Sequence, residues 1–126
     1  MVSDHLSDFI TRIRNGYLAS RETISAPNVK TVERVAQVLV KTGYVTSVAQ
    51  DGKQLIVTLK YTSHQPAIMG LRRMSRPGAR VYCGFRDLPK VWGGLGINIL
   101  STPKGIMGEK EAKKLSCGGE LIAQVW

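Results

Sequence analysis

The chain has 126 residues, enough for one domain or two very small ones at roughly 100 to 200 residues per domain. Its composition, 43% apolar, 21% charged and 6% aromatic, is that of a globular chain and excludes disordered and fibrous classes. Eighteen Lys and Arg against nine Asp and Glu leave a formal charge of +9, which points to a polyanionic partner, nucleic acid first.

Leu6, Phe9, Ile10, Ile13 and Tyr17 recur at helical spacing with Ser3 as expected N-cap, and Arg12 and Arg14 fall off that stripe, so the chain opens with an amphipathic helix. A short strand is expected at 23–26. After Pro27-Asn28, the set Val32, Val35, Ala36, Leu39 and Val40 marks a second helix, ended by Gly43. Residues 44–49 and 54–61 are rich in β-branched and aromatic types, and Asp51-Gly52 between them is a hairpin signal. The first 61 residues therefore read αβαββ.

The polar stretch from Thr62 to Pro66 is the expected boundary between two small modules, 1–63 and 64–126. In the second, short strands at about 67–74, 79–83, 97–101 and 120–126 alternate with Pro-Gly and Gly-Gly punctuation. Only 108–115 reads as helix, supported by Glu109 and Lys113 four apart. The fold class is α+β: an N-terminal αβαββ module and a C-terminal, mostly β module with one short helix. Residues 1–63 carry 8 bases and 5 acids, net +3, and residues 64–126 carry 10 and 4, net +6, so the second module is the more cationic.

No apolar run approaches the roughly 18 to 20 residues of a membrane span, and the first residues have neither an export nor a transit pattern, so a soluble chain is expected. Cys83 and Cys117 stand 34 positions apart and read as buried thiols of a reducing compartment rather than a disulfide. His5, His64 and the two cysteines are scattered singly, so no metal site is expected. Gly94-Leu95-Gly96 begins like a dinucleotide fingerprint, but Ile99 replaces the third glycine and a strand pattern stands where a helix is required. Phosphate loops, nucleophile elbows and carboxylate pairs are missing too, so neither catalytic residues, a cofactor nor a small-molecule substrate is expected.

Arg72, Arg73, Arg76, Arg80, Arg86 and Lys90 face a single acid, Asp87, between residues 67 and 90. Such a segment either neutralises phosphates or is a solvated basic face. Strand alternation sends Arg80 and Tyr82 to one face and Val81 and Cys83 to the other, which leaves the Tyr82 ring either free to stack on a base or half-buried on the strand. Ser101-Thr102 and the turn after them place two hydroxyls between a buried strand and the short helix. That pattern suits irregular RNA, but taken alone it reads first as a plain hydroxyl turn and helix cap.

Taken together these residues resemble the bacterial-type family of small ribosomal subunit protein eight, over the whole chain. The resemblance is carried by Thr11-Arg12-Ile13-Arg14-Asn15-Gly16, by Ser75-Arg76-Pro77-Gly78 with Arg80-Val81-Tyr82, by Leu88-Pro89-Lys90-Val91 and Gly94-Leu95-Gly96, by Ser101-Thr102-x-Lys104-Gly105-x-Met107, and by Cys117-Gly118-Gly119-Glu120 and Val125-Trp126, all in family order. It implies a structural protein of the small ribosomal subunit, cytoplasmic or in an organelle, that binds an irregular helix of 16S-type ribosomal RNA during assembly and sits among neighbouring ribosomal proteins. In many bacteria such a protein also represses translation of its own operon mRNA.

Carried over by position, the resemblance places RNA contacts at Ser101, Thr102, Tyr82, Gly119 and Glu120, with Arg12, Arg14, Asn15 and Lys30 contributing from the first module; Arg76, Arg80 and Lys104 are expected to add positive charge beside them. A carboxylate beside RNA repels phosphates, so Glu120 is expected to orient a neighbour or accept from a base. The chain departs from the family pattern at Pro103, where a third hydroxyl is usual, at Cys83-Gly84-Phe85, where a basic stretch is usual, at His5 in place of a proline, and at Gly108, where a threonine often caps the helix. The alternative from another class is a basic adaptor that docks an acidic protein surface.

Overall fold

Apolar residues at three- and four-residue intervals wind the start of the chain into α1 (His5–Leu18), which buries Leu6, Phe9, Ile10, Ile13 and Gly16. The structure, a computed structural model, describes residues 5–126; the expected cap Ser3 lies outside them. A second amphipathic helix, α2 (Lys30–Lys41), buries Val32, Val35, Ala36, Val38 and Leu39. It ends at Thr42, and Gly43 follows at φ +83° with its N–H on the Val40 carbonyl at 3.1 Å, a position that disfavours any side chain.

Between and after the helices run β1 (Thr23–Pro27), β2 (Val45–Asp51) and β3 (Gln54–Leu59), antiparallel in the order β1-β3-β2. Alternation along β3 buries Leu55, Val57 and Leu59, and Ala26 and Ile24 stand opposite the first two. The β2–β3 hairpin turns on Gly52-Lys53, one residue later than Asp51-Gly52 suggests, with Gly52 at φ +61°. The order αβαββ is that expected.

The polar stretch that follows is itself a hairpin, β4 (Tyr61–Thr62) with β5 (Gln65–Pro66), whose two turn residues Ser63 and His64 both take positive φ. Tyr61 donates to the Arg21 carbonyl at 2.7 Å and Tyr17 to the Lys60 carbonyl at 3.1 Å, fastening this hairpin to the end of α1. The chain divides into two compact units, Met1–Met69 and Gly70–Trp126.

In the second unit β10 (Gly119–Val125) is the central strand. It pairs with β8 (Ile97–Thr102) on one side and with β6 (Leu71–Arg73) and β7 (Tyr82–Cys83) on the other, and β9 (Gly105–Gly108) extends the sheet beyond β8. All these pairings are antiparallel. The helix α3 (Glu109–Lys114) covers Leu100 and Met107 with Ala112, and its Glu109–Lys113 ion pair closes at 3.6 Å. Its N-cap is Gly108, which offers no side-chain hydrogen bond.

Several sequence expectations change here. The strands expected at 67–74 and 79–83 shrink to three and two residues. Gly70 interrupts the first by packing on Trp126, and a turn bridging Arg76 and Ala79 takes the start of the second. Strand β9 is an addition, hidden because glycines bound its only two apolar residues. Cys83 and Cys117, read as buried, are free and half-buried, since one sits on a two-residue strand and the other in the turn before β10.

The core of this unit also holds polar side chains. Asn98, fully buried, donates to the Pro89 carbonyl at 2.8 Å and accepts from Gln124 at 3.0 Å, while its N–H reaches Glu109 at 3.3 Å. Among the described residues no buried side-chain N or O lacks a partner, and the Asn98 bond to Pro89 ties the 84–90 loop to the sheet.

Gly16 decides how closely α1 approaches the first sheet: a Cβ there would lie 2.4 Å from the Ile24 Cγ2 and 3.0 Å from the Leu59 Cδ1. Alanine in place of a helix glycine ordinarily stabilises by about 1 kcal/mol, but overpacking costs about 1 to 3 kcal/mol and Ile24 is β-branched and stiff. Gly16→Ala is therefore expected to lower stability by up to about 2 kcal/mol, the difference of those ranges. Urea unfolding gives the sign, and a more stable variant means that α1 has room to spare.

Candidate nucleic-acid interface

Antiparallel pairing sets one row of residues side by side across four strands. Tyr82 of β7 is opposite Glu120 of β10, Glu120 is opposite Ser101 of β8, and Ser101 is opposite Ile106 of β9. Directly paired residues project from the same sheet face, so an aromatic ring, a carboxylate and a hydroxyl distant in sequence become neighbours. Tyr82 is 70% exposed, Glu120 and Ser101 half-buried. The expected face assignment holds: Arg80 and Tyr82 are exposed while Val81 and Cys83 are partly covered.

Glu120 is the most connected member. Its Oε2 accepts from Arg80 Nη1 at 2.9 Å and from the Ser75 hydroxyl. Ser75 is fully buried, accepts from the Val81 N–H at 3.1 Å, and receives Arg73 Nε on its carbonyl oxygen. Burial by itself raises the Glu120 pKa, but the hydrogen bonds from Ser75 and Arg80, with the charges of Arg80 and Arg73, outweigh it and hold the carboxyl below its ordinary 4.5. The acid thus holds Arg80 in place beside Tyr82 while the guanidinium side chain keeps 47% of its surface open.

Arg73 stood in the basic segment and Ser75 in a family motif, but sequence reasoning placed neither at the site. The signal was a serine just before the Arg76-Pro77-Gly78 turn, where a hydroxyl can fold back on a neighbouring strand.

Ser101 and Thr102 part company. Ser101 lies in the row, and its hydroxyl bonds no neighbour among the described residues. Thr102 is 8% exposed; its hydroxyl donates to the Gly105 carbonyl at 2.8 Å and accepts from the Lys104 N–H at 3.2 Å, a hydroxyl turn that builds the β8–β9 hairpin. Lys104 is exposed at its tip, and Arg76 is exposed in the turn closed by the Arg76–Ala79 bonds. Gly119 has a packing reason: a Cβ there would lie 2.2 Å from the Ser101 carbonyl oxygen, so only glycine lets β10 and β8 approach at the row.

In the first unit, Arg12, Arg14 and Asn15 occupy the exposed side of α1, and Lys30 is the exposed first residue of α2. Arg12 pairs with Asp8 at 2.8 Å and donates to the Ser25 carbonyl at 3.0 Å, pinning α1 to β1. Among the described residues no group of three or more His, Cys, Asp or Glu is placed to hold a metal ion, and no helix is long and apolar enough to cross a membrane.

A carboxylate whose folded pKa is depressed adds stability above its unfolded value and loses it as pH falls through the folded one. Glu120 follows this sign, so its share is complete above 4.5 and fades below. With Arg80 partly exposed and screened, that share is about 1 to 2 kcal/mol. Glu120→Gln is expected to cost that much near neutrality, with the two proteins converging in stability as pH falls below 4.5 and through the lowered folded pKa. Parallel denaturation curves across pH check it, and a constant gap excludes the ionised role.

The protein-family model described as Ribosomal protein S8 matches residues 4–126. The chain is 43% identical over 126 residues to the small ribosomal subunit protein uS8 of Nitratidesulfovibrio vulgaris, covering 100% of both. It is 47% identical over 131 residues to that of Caldanaerobacter subterraneus subsp. tengcongensis, covering 100% of this chain and 99% of that one. The small ribosomal subunit protein uS8c of Chlorella vulgaris is 41% identical over 138 residues, 100% of both. On matches of this length and identity, the chain belongs to the ribosomal protein S8 family.

Proposed function

We propose that this chain, a non-enzymatic structural constituent of the small ribosomal subunit, binds a 16S-type ribosomal RNA helix directly, through the row of Tyr82, Glu120 and Ser101 with Arg80 beside it. The observation that carries the reading is the register itself, which gathers a stacking ring, an oriented guanidinium and a free hydroxyl on one sheet face. Irregular RNA is recognised by this combination: splayed bases stack on aromatic rings, hydroxyls meet sugars and base edges, and cations neutralise phosphates. Lys104 and Arg76 add charge from the flanking turns, Gly119 keeps the strands close, and Thr102 contributes by shaping the hairpin. Arg12, Arg14, Asn15 and Lys30 add contacts from the first unit.

Neighbouring small-subunit proteins are further partners, in the cytoplasm or in an organelle that makes its own ribosomes. The same surface serves a second role, repression of translation of its own operon, where an mRNA hairpin presents the same irregular core. The names of the relatives, small ribosomal subunit proteins, support the placement in the subunit.

Tyr82→Ala is expected to weaken binding to a hairpin of the 16S-type helix by about 1 to 3 kcal/mol, the loss of one base stack. Its thermal stability stays within about 0.5 kcal/mol of the parent, because the ring is exposed. Binding falls with salt through counterion release, yet a specific fraction survives an excess of random-sequence RNA. Loss of all binding to that competitor at moderate salt favours the basic adaptor instead.

The two hydroxyls are separable. Ser101→Ala is expected to lower affinity by about 0.5 to 1.5 kcal/mol with stability unchanged, as one neutral hydrogen bond is lost. Thr102→Ala lowers stability by about 1 to 2 kcal/mol, for two hydrogen bonds within the turn, and affinity follows. Calorimetric titration beside thermal melting distinguishes them; a variant pair with the two signatures exchanged overturns the division.

A further inference from the structure

The chain has only two tryptophans, and their rings meet: Trp92 and Trp126 stack with centroids 6.3 Å and planes 18° apart. Trp126 is packed so tightly on Gly70 that a Cβ there would lie 2.2 Å from the indole. Trp92 lies against it and is 61% exposed. Such an open indole is not a core residue, and the backbone holds it in place at a conformation L-residues disfavour. Trp92 takes φ +50°, followed by Gly93 at +62° and Gly94 at +94°.

The loop around it is closed, because the N–H groups of Gly94 and Gly96 both donate to the Val91 carbonyl at 3.0 Å. A Cβ at Gly96 would lie 2.5 Å from the Val125 carbonyl oxygen, so the loop rests on the end of β10. The ring, stacked on Trp126, is held in place with most of its surface open. Strain kept at an exposed residue is the kind of outlier from which function is inferred.

Charge selects the occupant. No acidic residue lies between Asp87 and Glu109, Lys90 stands two positions before Trp92, and residues 64–126 carry net +6. We propose that the exposed face of Trp92 is a second RNA contact, a stacking platform for an unpaired base of single-stranded RNA, separate from the Tyr82 row. This rests on the RNA-binding reading above but uses different residues. Every nucleobase has a π-face, so the platform accepts any base, and a prearranged ring loses little freedom on binding.

Because both tryptophans belong to the stack, fluorescence excited selectively at tryptophan reports on this site and not on Tyr82. The full chain is titrated with single-stranded nonaadenylate RNA and, at equal phosphate concentration, with a blunt 12-base-pair RNA duplex. Saturable quenching by the single strand and little by the duplex is expected. By anisotropy of the labelled strand, Trp92→Phe keeps affinity within about threefold, while Trp92→Leu, apolar without a π-face, weakens it about tenfold or more. Equal quenching by the duplex, no quenching, or a Trp92→Leu variant that binds like the parent overturns the proposal, the last pointing to a protein-docking surface. If Tyr82→Ala still lowers hairpin affinity, that failure is confined to this platform; if neither variant matters, the RNA-binding reading fails as well.

Discussion

The carboxylate of Glu120 is the point at which the second unit is tied together. It stands on β10, the strand that pairs with three others, and it binds Ser75 and Arg80 from segments that the sheet alone does not fix. The residues between Arg73 and Tyr82 have little regular structure; the Arg76–Ala79 bridge and the polar links to Ser75 shape them, beside two backbone bonds to β10, Met74 N–H to the Ile122 carbonyl and Leu121 N–H to the Val81 carbonyl. Removing the acid leaves a buried hydroxyl without its acceptor and takes from Arg80 its carboxylate partner.

The same arrangement reconciles an acid with an anion-binding surface. A lone carboxylate beside phosphate is repulsive, but a carboxylate paired to Arg80 and placed near Arg73 presents a neutral or positive neighbourhood. Other acids are likewise engaged, Glu109 with Lys113 and Asp8 with Arg12, so much of the negative charge is used inside each unit and the excess of +9 is left to the surface. Surface pairs of this kind add little stability. Their effect is on which charges a polyanion meets.

Periodicity made the first unit legible, since its two helices and β3 each bury one clear apolar stripe. It served the second unit less well. A two-residue strand such as β7 gives no period to read, and β9 lies between glycines. Within the site, alternation set the face of Tyr82 but left its exposure open, and the motif resemblance named Ser101 and Glu120. What one dimension withheld was register: nothing in the sequence states that Tyr82, Glu120 and Ser101 share a row, because pairing between strands separated by a long connection depends on the whole core. Ser75 and Asn98 were missed for a related reason, as a buried polar residue is recognisable only once its partners are in place.

Pro103 shows how a departure from a pattern is absorbed by geometry. Thr102 and Gly105 pair, so Pro103 and Lys104 are the two turn residues, and Lys104 keeps a negative φ while Gly105 takes +122°. Proline's fixed φ near −65° suits the first turn position, where no N–H is needed. The hydroxyl that the family usually carries there is absent, yet Thr102 already holds both the Lys104 N–H and the Gly105 carbonyl, so the turn does not depend on a third one. The gain in stiffness and the loss of a possible donor are of similar size, about 0.4 to 1 against 0.5 to 1.5 kcal/mol, and they oppose each other. A chain that gives up one hydroxyl for a stiffer hairpin still presents Ser101 at the same place in the row, because the position of Ser101 is set by Glu120 and Ile106 across the sheet rather than by the tip of the turn.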